Sequence, residues 1–229
     1  MTSGKTAQQR TLGLIHTVPG LIPVLEPLLA ATLREWRVFN LVDESLLKTT
    51  IATGHLTRPT MRRLLQHVWS ATDAGADAIM VTCSSLGQAV EAARPFCTVP
   101  LVRIDEGMAI EAVAQGGRIG VLATLPTTLE PTTDLIRATA DRMGAGDRSI
   151  VSHLCEGAFD RLVAGATEDH DRMVADGFRT LAQQVDVIVL AQASMTRALA
   201  GLQLGADAPH VLSSPEPGVR HLQTIITAP

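Results

Sequence analysis

Short apolar, β-branched runs alternate along this chain with longer stretches of helical period. The runs Thr11–His16, Arg37–Leu41, Ala78–Thr82, Leu101–Ile104, Ile119–Ala123, Ser149–Leu154, Val187–Ala191 and His210–Leu212 predict strands. Between them, Arg58–Ala74, Leu86–Ala93, Leu129–Met143 and His170–Gln184 predict amphipathic helices. Strand and helix in alternation predict an α/β fold with parallel sheets made of βαβ units.

The pattern also occurs twice. Leu12-Gly-Leu-Ile-His-Thr17-Val-Pro19 aligns with Ile119-Gly-Val-Leu-Ala-Thr124-Leu-Pro126, sharing Gly-x-x-x-Thr-x-Pro at an offset of 107 (Gly13 to Gly120). Asn40-Leu-Val-Asp43 aligns with His153-Leu-Cys-Glu156 at 113. Asp77 through Cys83-Ser84-Ser85 aligns with Asp186 through Gln192-Ala193-Ser194 at 109, and Pro100 with Pro209 at the same offset. Four elements recurring in order at nearly constant spacing predict two like halves. The carboxyl ends of parallel strands are where α/β sheets bind ligands. The residues to weigh are therefore Thr17 and Thr124, Asp43 and Glu156, Cys83 and Gln192, with Ser84, Ser85, Ala193 and Ser194 behind them.

Composition narrows the classes of function. Of 229 residues, 46% are hydrophobic and 18% charged, as in soluble globular proteins. A formal charge of −4, 3% aromatics and no tyrosine leave neither the basic footprint nor the stacking platform that nucleic acid requires. No apolar run approaches the ~20 residues of a membrane span, so no membrane partner is expected. The polar opening Met1–Arg10 lacks the apolar stretch of a signal peptide and reads as a lead-in to the first strand. Three cysteines without close pairing fit a reducing cytoplasm better than a disulfide framework.

Cys83 carries the candidate chemistry. Val81-Thr82-Cys83-Ser84-Ser85-Leu86-Gly87 runs from a strand into a helical pattern, which sets the thiol among free N–H groups. There the helix dipole is expected to lower its pKa and to attract a carboxylate, with Ser84 and Ser85 as caps. Such a thiolate can take an α-proton or attack an activated carbon. The other reading of a free cysteine is a small buried hydrophobe. Cys97, in a loop, reads as packed; Cys155 ends a strand beside Glu156 and approaches the same region. His16 and His153 also end strands, where packed histidines are the commoner case. Hydroxyls of Thr17, Thr124, Thr127 and Thr128 are suited to hold a carboxylate without an arginine. Gly116-Gly-Arg-Ile-Gly120 precedes a strand where a dinucleotide loop follows one, and is set aside. Glu168-Asp-His170-Asp171 opens a helix and reads as a solvated acidic turn rather than a metal site.

The paired strand-end motifs resemble the aspartate/glutamate racemase superfamily over nearly the whole chain. That superfamily includes glutamate, aspartate and hydantoin racemases, maleate isomerases and arylmalonate decarboxylases. Its racemases place one cysteine after a strand of each half. Cys83-Ser84-Ser85 is similar to the first motif, and Ala191-Gln192-Ala193-Ser194-Met195 to the second, with glutamine in the cysteine position. Arg118-Ile-Gly-Val-Leu-Ala-Thr124 resembles the opening of the family's second half, and Leu154-Cys-Glu156-Gly157 a segment whose glutamate assists the chemistry.

The resemblance implies two pseudo-symmetric flavodoxin-like lobes of mostly parallel sheet around one cleft. Residues 1–105 with about 213–229 form the N-terminal lobe and 106–212 the C-terminal lobe, a helix near Glu216–Ile226 crossing back. It further implies Cys83, Gln192, Glu156 and Asp43 as catalytic positions. Thr17, Thr82, Ser84, Ser85, Thr124, Thr127, Ala193 and Ser194 are the implied substrate contacts. A small carboxylate-bearing substrate is implied, with no metal or other cofactor, and a homo-oligomer is an open alternative to a monomer. Two-base racemisation needs a proton carrier on each face of the carbon, and a glutamine amide exchanges none near neutral pH. Three functions stay open: a racemase or isomerase by family, a single-thiol decarboxylase or lyase, and a non-catalytic small-acid binding protein.

Overall fold

The computed structural model describes residues 9–202, 205 and 208–227; the polar opening before Gln9 lies outside them. Eight strands form: β1 Thr11–His16, β2 Arg37–Val42, β3 Ala78–Val81, β4 Leu101–Arg103, β5 Arg118–Ala123, β6 Ser149–Leu154, β7 Val187–Leu190 and β8 His210–Ser213. They make two four-stranded parallel sheets of identical topology, β2-β1-β3-β4 and β6-β5-β7-β8. This is the expected α/β architecture of two pseudo-symmetric lobes. Strands β3 and β7 are buried throughout, because helices cover both faces of a parallel sheet.

The helices depart from the sequence pattern mainly at their ends. The third-quarter helix runs over Pro126–Arg142, three residues earlier than its apolar period. Proline suits a first helical turn, where its missing N–H has no partner to lose. Connections without strong period also fold as helices, among them Ile22–Thr32, Glu44–Thr53 and Glu106–Gln115.

The repeated glycine has a packing cause. A Cβ on Gly13 would stand 3.1 Å from the Phe39 ring and 3.3 Å from Ala71; on Gly120 it would stand 2.7 Å from Leu181. Both positions let a helix, Arg58–Asp73 or Thr167–Ala182, lie close on the first strand of its sheet. Asp77 and Asp186 add a second matched pair, their carboxylates accepting the N–H groups of Thr11 and Arg118 at 2.7 and 2.9 Å.

Sheet register corrects the alignment of the halves at two places. The N–H of Asp43 bonds to the carbonyl of His16, and that of Cys155 to the carbonyl of Ala123. With His16 equivalent to Ala123, the counterpart of Asp43 is Cys155, not Glu156. Likewise Leu101 faces Ile79 as Val211 faces Ile188, which moves the match of Pro100 from Pro209 to His210. A slip of one residue turns a side chain to the opposite face, so Glu156 does not stand where Asp43 does.

Two helices change lobes. Glu106–Gln115 follows β4 but buries Met108, Ala109, Ala112 and Val113 against Ile119, Val121, Val187 and Val189 of the second sheet. Pro215–Thr227 follows β8 and buries Val219, Leu222 and Ile226 against Leu12, Leu14, Met80 and Val102 of the first. Where they cross, a Cβ on Gly107 would be 2.1 Å from the carbonyl oxygen of Pro217, and one on Gly218 would be 2.3 Å from that of Ile104. Backbone meets backbone there, and neither contact can yield by rotating a side chain. Gly218→Ala and Gly107→Ala should each lower unfolding free energy by about 1–3 kcal/mol or more, the usual cost of overpacking. Urea denaturation would read this against Gly20→Ala, where a new Cβ meets nothing within 4 Å and no loss is expected.

Candidate active site

Cys83 is the residue at which β3 has ended and a 3₁₀ turn, Ser84–Leu86, begins; the helix Gly87–Ala93 follows. Val81 pairs with Ile15, so two residues on, Thr17 and Cys83 lie side by side on one face of the sheet. The Thr17 hydroxyl and the backbone N–H groups of Ser85 and Leu86 lie near the thiol and favour its ionised form, although the Leu86 N–H is itself taken by the Cys83 carbonyl at 3.1 Å.

These contacts do not make Cys83 acidic. Burial pushes the thiol above its ordinary value and outweighs the hydrogen bonds, and the Asp105 charge acts in the same direction. The expected low-pKa thiolate is therefore corrected to a raised thiol pKa: the helix N-terminus does not overcome the desolvation of this half-buried cysteine. Nor do the serines cap the helix. Neither hydroxyl caps a backbone N–H, and Ser85 Oγ instead bonds to Thr128 Oγ1 of the second half at 2.9 Å.

That bond joins the two halves at their strand ends. Thr128 belongs to the first turn of the helix Pro126–Arg142, directly after Thr124, and Thr17, Ser84, Ser85, Thr124, Thr127 and Thr128 are all buried at this junction. Thr127 Oγ1 is buried without a hydrogen-bond partner. Gln192 occupies the place of Cys83 in the second sheet and binds the threonine beside it. Its amide oxygen accepts the N–H of Thr124 at 2.8 Å, and its amide nitrogen donates to Thr124 Oγ1 at 2.7 Å.

The remaining sequence candidates divide. Thr82 is buried and shares its hydroxyl between the Ile15 carbonyl at 3.3 Å and His16 Nδ1 at 2.9 Å, while His16 Nε2 meets Asn40 Oδ1 at 2.8 Å. His16 is fully buried on the sheet face opposite Cys83, and burial lowers its pKa. Ala193 is half-buried, and Ser194 and Glu156 are exposed, so the junction does not enclose them. Cys155 is packed beside His153 and Gly177, where burial and then the Asp176 charge push its pKa up to about 11. Cys97 donates to the Ala93 carbonyl at 3.2 Å, as a packed loop thiol. His170 departs from the solvated turn expected of it: it is fully buried, its Nδ1 bonding Asp171, which in turn holds Arg197 through two bonds.

Four ionisable groups escaped the sequence reading: Arg103, Asp105, and the Arg63 and His67 that hold the sequence candidate Asp43. Arg103 and Asp105 form a buried pair beside the Cys83 turn, with two bonds of 2.9 Å. Their signal was two charges spaced by two at the end of an otherwise apolar strand. Asp43 caps the helix Glu44–Thr53 and is gripped by Arg63 at 2.6 Å and His67 at 2.8 Å, residues four apart on the helix Arg58–Asp73. A groove of about 400 Å³ between the helix Ile22–Thr32 and β2, lined by Trp36, Val38 and Asn40, lies on the opposite face of the sheet from the thiol. Volume thus does not mark the site; converging strand ends do.

The Asp/Glu/Hydantoin racemase family profile matches residues 21–222. Among solved structures, the glutamate racemase from Aquifex pyrophilus is 19% identical with a TM-score of 0.69, covering 95% of this chain and 84% of that one. The Picrophilus torridus aspartate racemase is 12% identical at 0.69, covering 94% of each chain. Unliganded arylmalonate decarboxylase is 14% identical at 0.53, covering 96% and 93%. Identities this low carry the fold alone. No curated protein is significantly similar in sequence.

Asp43 provides a test of this region by pH. Burial opposes its ionisation, but bonds from Ser45 and His67 and the Arg63 charge overcome that and bring its pKa down from 3.8 to about 2. A depressed carboxyl stabilises the fold above its unfolded value and loses that contribution as pH falls through the folded one. Wild type should therefore exceed Asp43→Asn by about 1–2 kcal/mol above pH 4, the half-open Arg63 side moderating the gain. The difference should fade between about pH 4 and pH 2 in urea melts.

Proposed function

We propose that this chain, which belongs to the Asp/Glu/hydantoin racemase family, is an enzyme moving a proton at the carbon next to a carboxylate, with Cys83 as its one acid/base thiol. The observation that carries the reading is the pairing of Thr17 with Cys83 and of Thr124 with Gln192 at matched strand ends. The scaffold of a two-sided proton exchange is retained, and one of its two carriers is an amide with both ends engaged. Such an amide orients groups but neither gives nor takes a proton near neutral pH.

The chemistry follows from the residues. A substrate carboxylate suits the first turn of the helix Pro126–Arg142, where the Thr127 N–H is left over by the bonds of Thr128 and Leu129 to the Leu125 carbonyl and the unpaired Thr127 hydroxyl has a proton to donate. Cys83, neutral at rest, gives its proton to an α-carbanion on one face; the neighbouring Thr17 hydroxyl and Ser85 N–H favour the resulting thiolate until it is reprotonated. In reverse, the same thiolate removes an α-proton from that face. Gln192 keeps the opposite face free of a proton carrier.

Within this reading an isomerase is the family's own reaction. The lone thiol favours a decarboxylase or lyase as the second reading, since loss of CO₂ followed by one protonation needs no opposite base. Incubating small amino acids, dicarboxylates, hydantoins and substituted malonates in D₂O separates the two. An isomerase leaves deuterium at the α-carbon with the carboxylate intact; a decarboxylase releases CO₂ and gives one enantiomer of labelled product. A protein that binds small acids without turnover would do neither.

Cys83→Ala should lower turnover by at least the ~10²–10⁴-fold of a lost general acid–base group, and Cys83→Ser nearly as far. Gln192→Cys should raise exchange on the second face, read as appearance of the other enantiomer. Undiminished turnover in Cys83→Ala would overturn the assignment.

A further inference from the structure

The register that sets Thr17 beside Cys83 continues on its other side. Strand β4 pairs with β3 so that Arg103 faces Val81. The N–H of Ile104 bonds to the Val81 carbonyl at 3.1 Å, and Asp105 follows in a turn near the thiol, so that Thr17, Cys83 and Asp105 come together at three neighbouring strand ends. Asp105 is fully buried and Arg103 nearly so. Two parallel bonds of 2.9 Å, from Nε and Nη2 of Arg103 to the two carboxylate oxygens, fix their geometry.

The guanidinium also lies flat on the turn that carries the thiol. A Cβ on Gly87 would sit 2.3 Å from Arg103 Cζ, so the first helical residue after that turn is a glycine that admits the charge. On its far edge Arg103 meets Glu91 at 3.6 Å, and its backbone N–H donates to Glu106 at 3.0 Å. Among the described residues the second half has no counterpart to this pair. By register, Arg103 and Asp105 correspond to Ser213 and Pro215, and Gly87 to Thr196. The charged device accompanies the thiol and is absent beside Gln192. Stability alone is a poor reason for it, because desolvating a buried ion pair offsets most of its attraction.

We propose that Asp105, anchored by Arg103, is a positioning residue for Cys83: the buried pair clamps the Cys83–Gly87 turn and sets a negative charge beside the sulfur, so that the resting thiol keeps its proton for delivery. This rests on the reading of Cys83 as an acid/base group. The groups facing the sulfur act in opposition. Burial and the Asp105 carboxylate favour the thiol, whereas the Thr17 hydroxyl and the N–H groups of Ser85 and Leu86 favour the thiolate. The Glu91 and Glu106 carboxylates engage Arg103 itself.

The test is the pH profile of Cys83 alkylation by iodoacetamide, followed on the Cys83 peptide by mass spectrometry so that Cys97 and Cys155 do not contribute. Asp105→Asn should move the midpoint down by about one unit or more, as expected for removing a neighbouring like charge, and speed alkylation at pH 7 about tenfold. Asp105→Glu should return the profile toward wild type, which an effect of general loosening would not do. If Asp105→Asn fails to fold, Arg103→Gln with Asp105→Asn keeps a neutral hydrogen-bonded pair, and its midpoint should fall by a smaller amount. A wild-type profile in either folded variant overturns the assignment of Asp105 alone. Full turnover in Cys83→Ala overturns the acid/base reading alone.

Discussion

Backbone contact between two crossing helices governs this molecule. Glu106–Gln115 and Pro215–Thr227 meet through Gly107 and Gly218, each closer to a carbonyl oxygen than any side chain would permit. Each helix grows out of one sheet and supplies the apolar cover of the other. Separating the lobes would thus uncover both cores at once, at roughly 25 cal/mol for every Å² of apolar surface exposed. The Arg220–Glu111 pair on the rim of the crossing, at 2.7 Å and half exposed, adds little by comparison. Because the crossing is fixed, the carboxyl ends of the two sheets have a fixed relation, and Ser85 can reach Thr128.

On that scaffold the two halves hold different chemistry at matched positions. One row reads Thr17, Cys83, Asp105; the other reads Thr124, Gln192, Pro215. Threonine is common to both: Thr124 bonds to Gln192, and Thr17 lies beside Cys83. The first row carries a proton and a buried countercharge, the second only an amide. Under the proposed function, a two-fold frame serves geometry while the capacity for proton transfer lies on one side.

Much of this was legible in the chain because packing left marks of the right period. Gly13 and Gly120 recur since a helix crosses each first strand closely, and the buried strands read as continuous apolar runs because both faces are covered. Cys83 and Gln192 fell into register because the offset of 109 holds through β3 and β7. What failed has equally physical causes. Asp43 and Glu156 look alike in sequence, but the ladder makes Cys155 the counterpart of Asp43, and a strand tolerates no slip of one residue. The acidity of Cys83 was misjudged because a motif displays the helix N-terminus and conceals the burial. Arg103 and Asp105 were passed over because charges at a strand end resemble the flank of a loop; nothing local says that both will be buried.

The closed junction gives those buried charges their weight. Thr17, Ser84, Ser85, Thr124, Thr127 and Thr128 all lie out of solvent, so water screens little between Asp105 and the sulfur. A carboxylate entering there exchanges its hydration for fixed hydroxyls and N–H groups, and it brings a second negative charge beside the first. Both charges disfavour a thiolate. On the proposed reading of Cys83 as the acid/base thiol, proton delivery from sulfur to carbon would start from the form the site already prefers, with the thiolate left behind as the disfavoured state. The resting site would then hold the proton that a one-faced protonation requires.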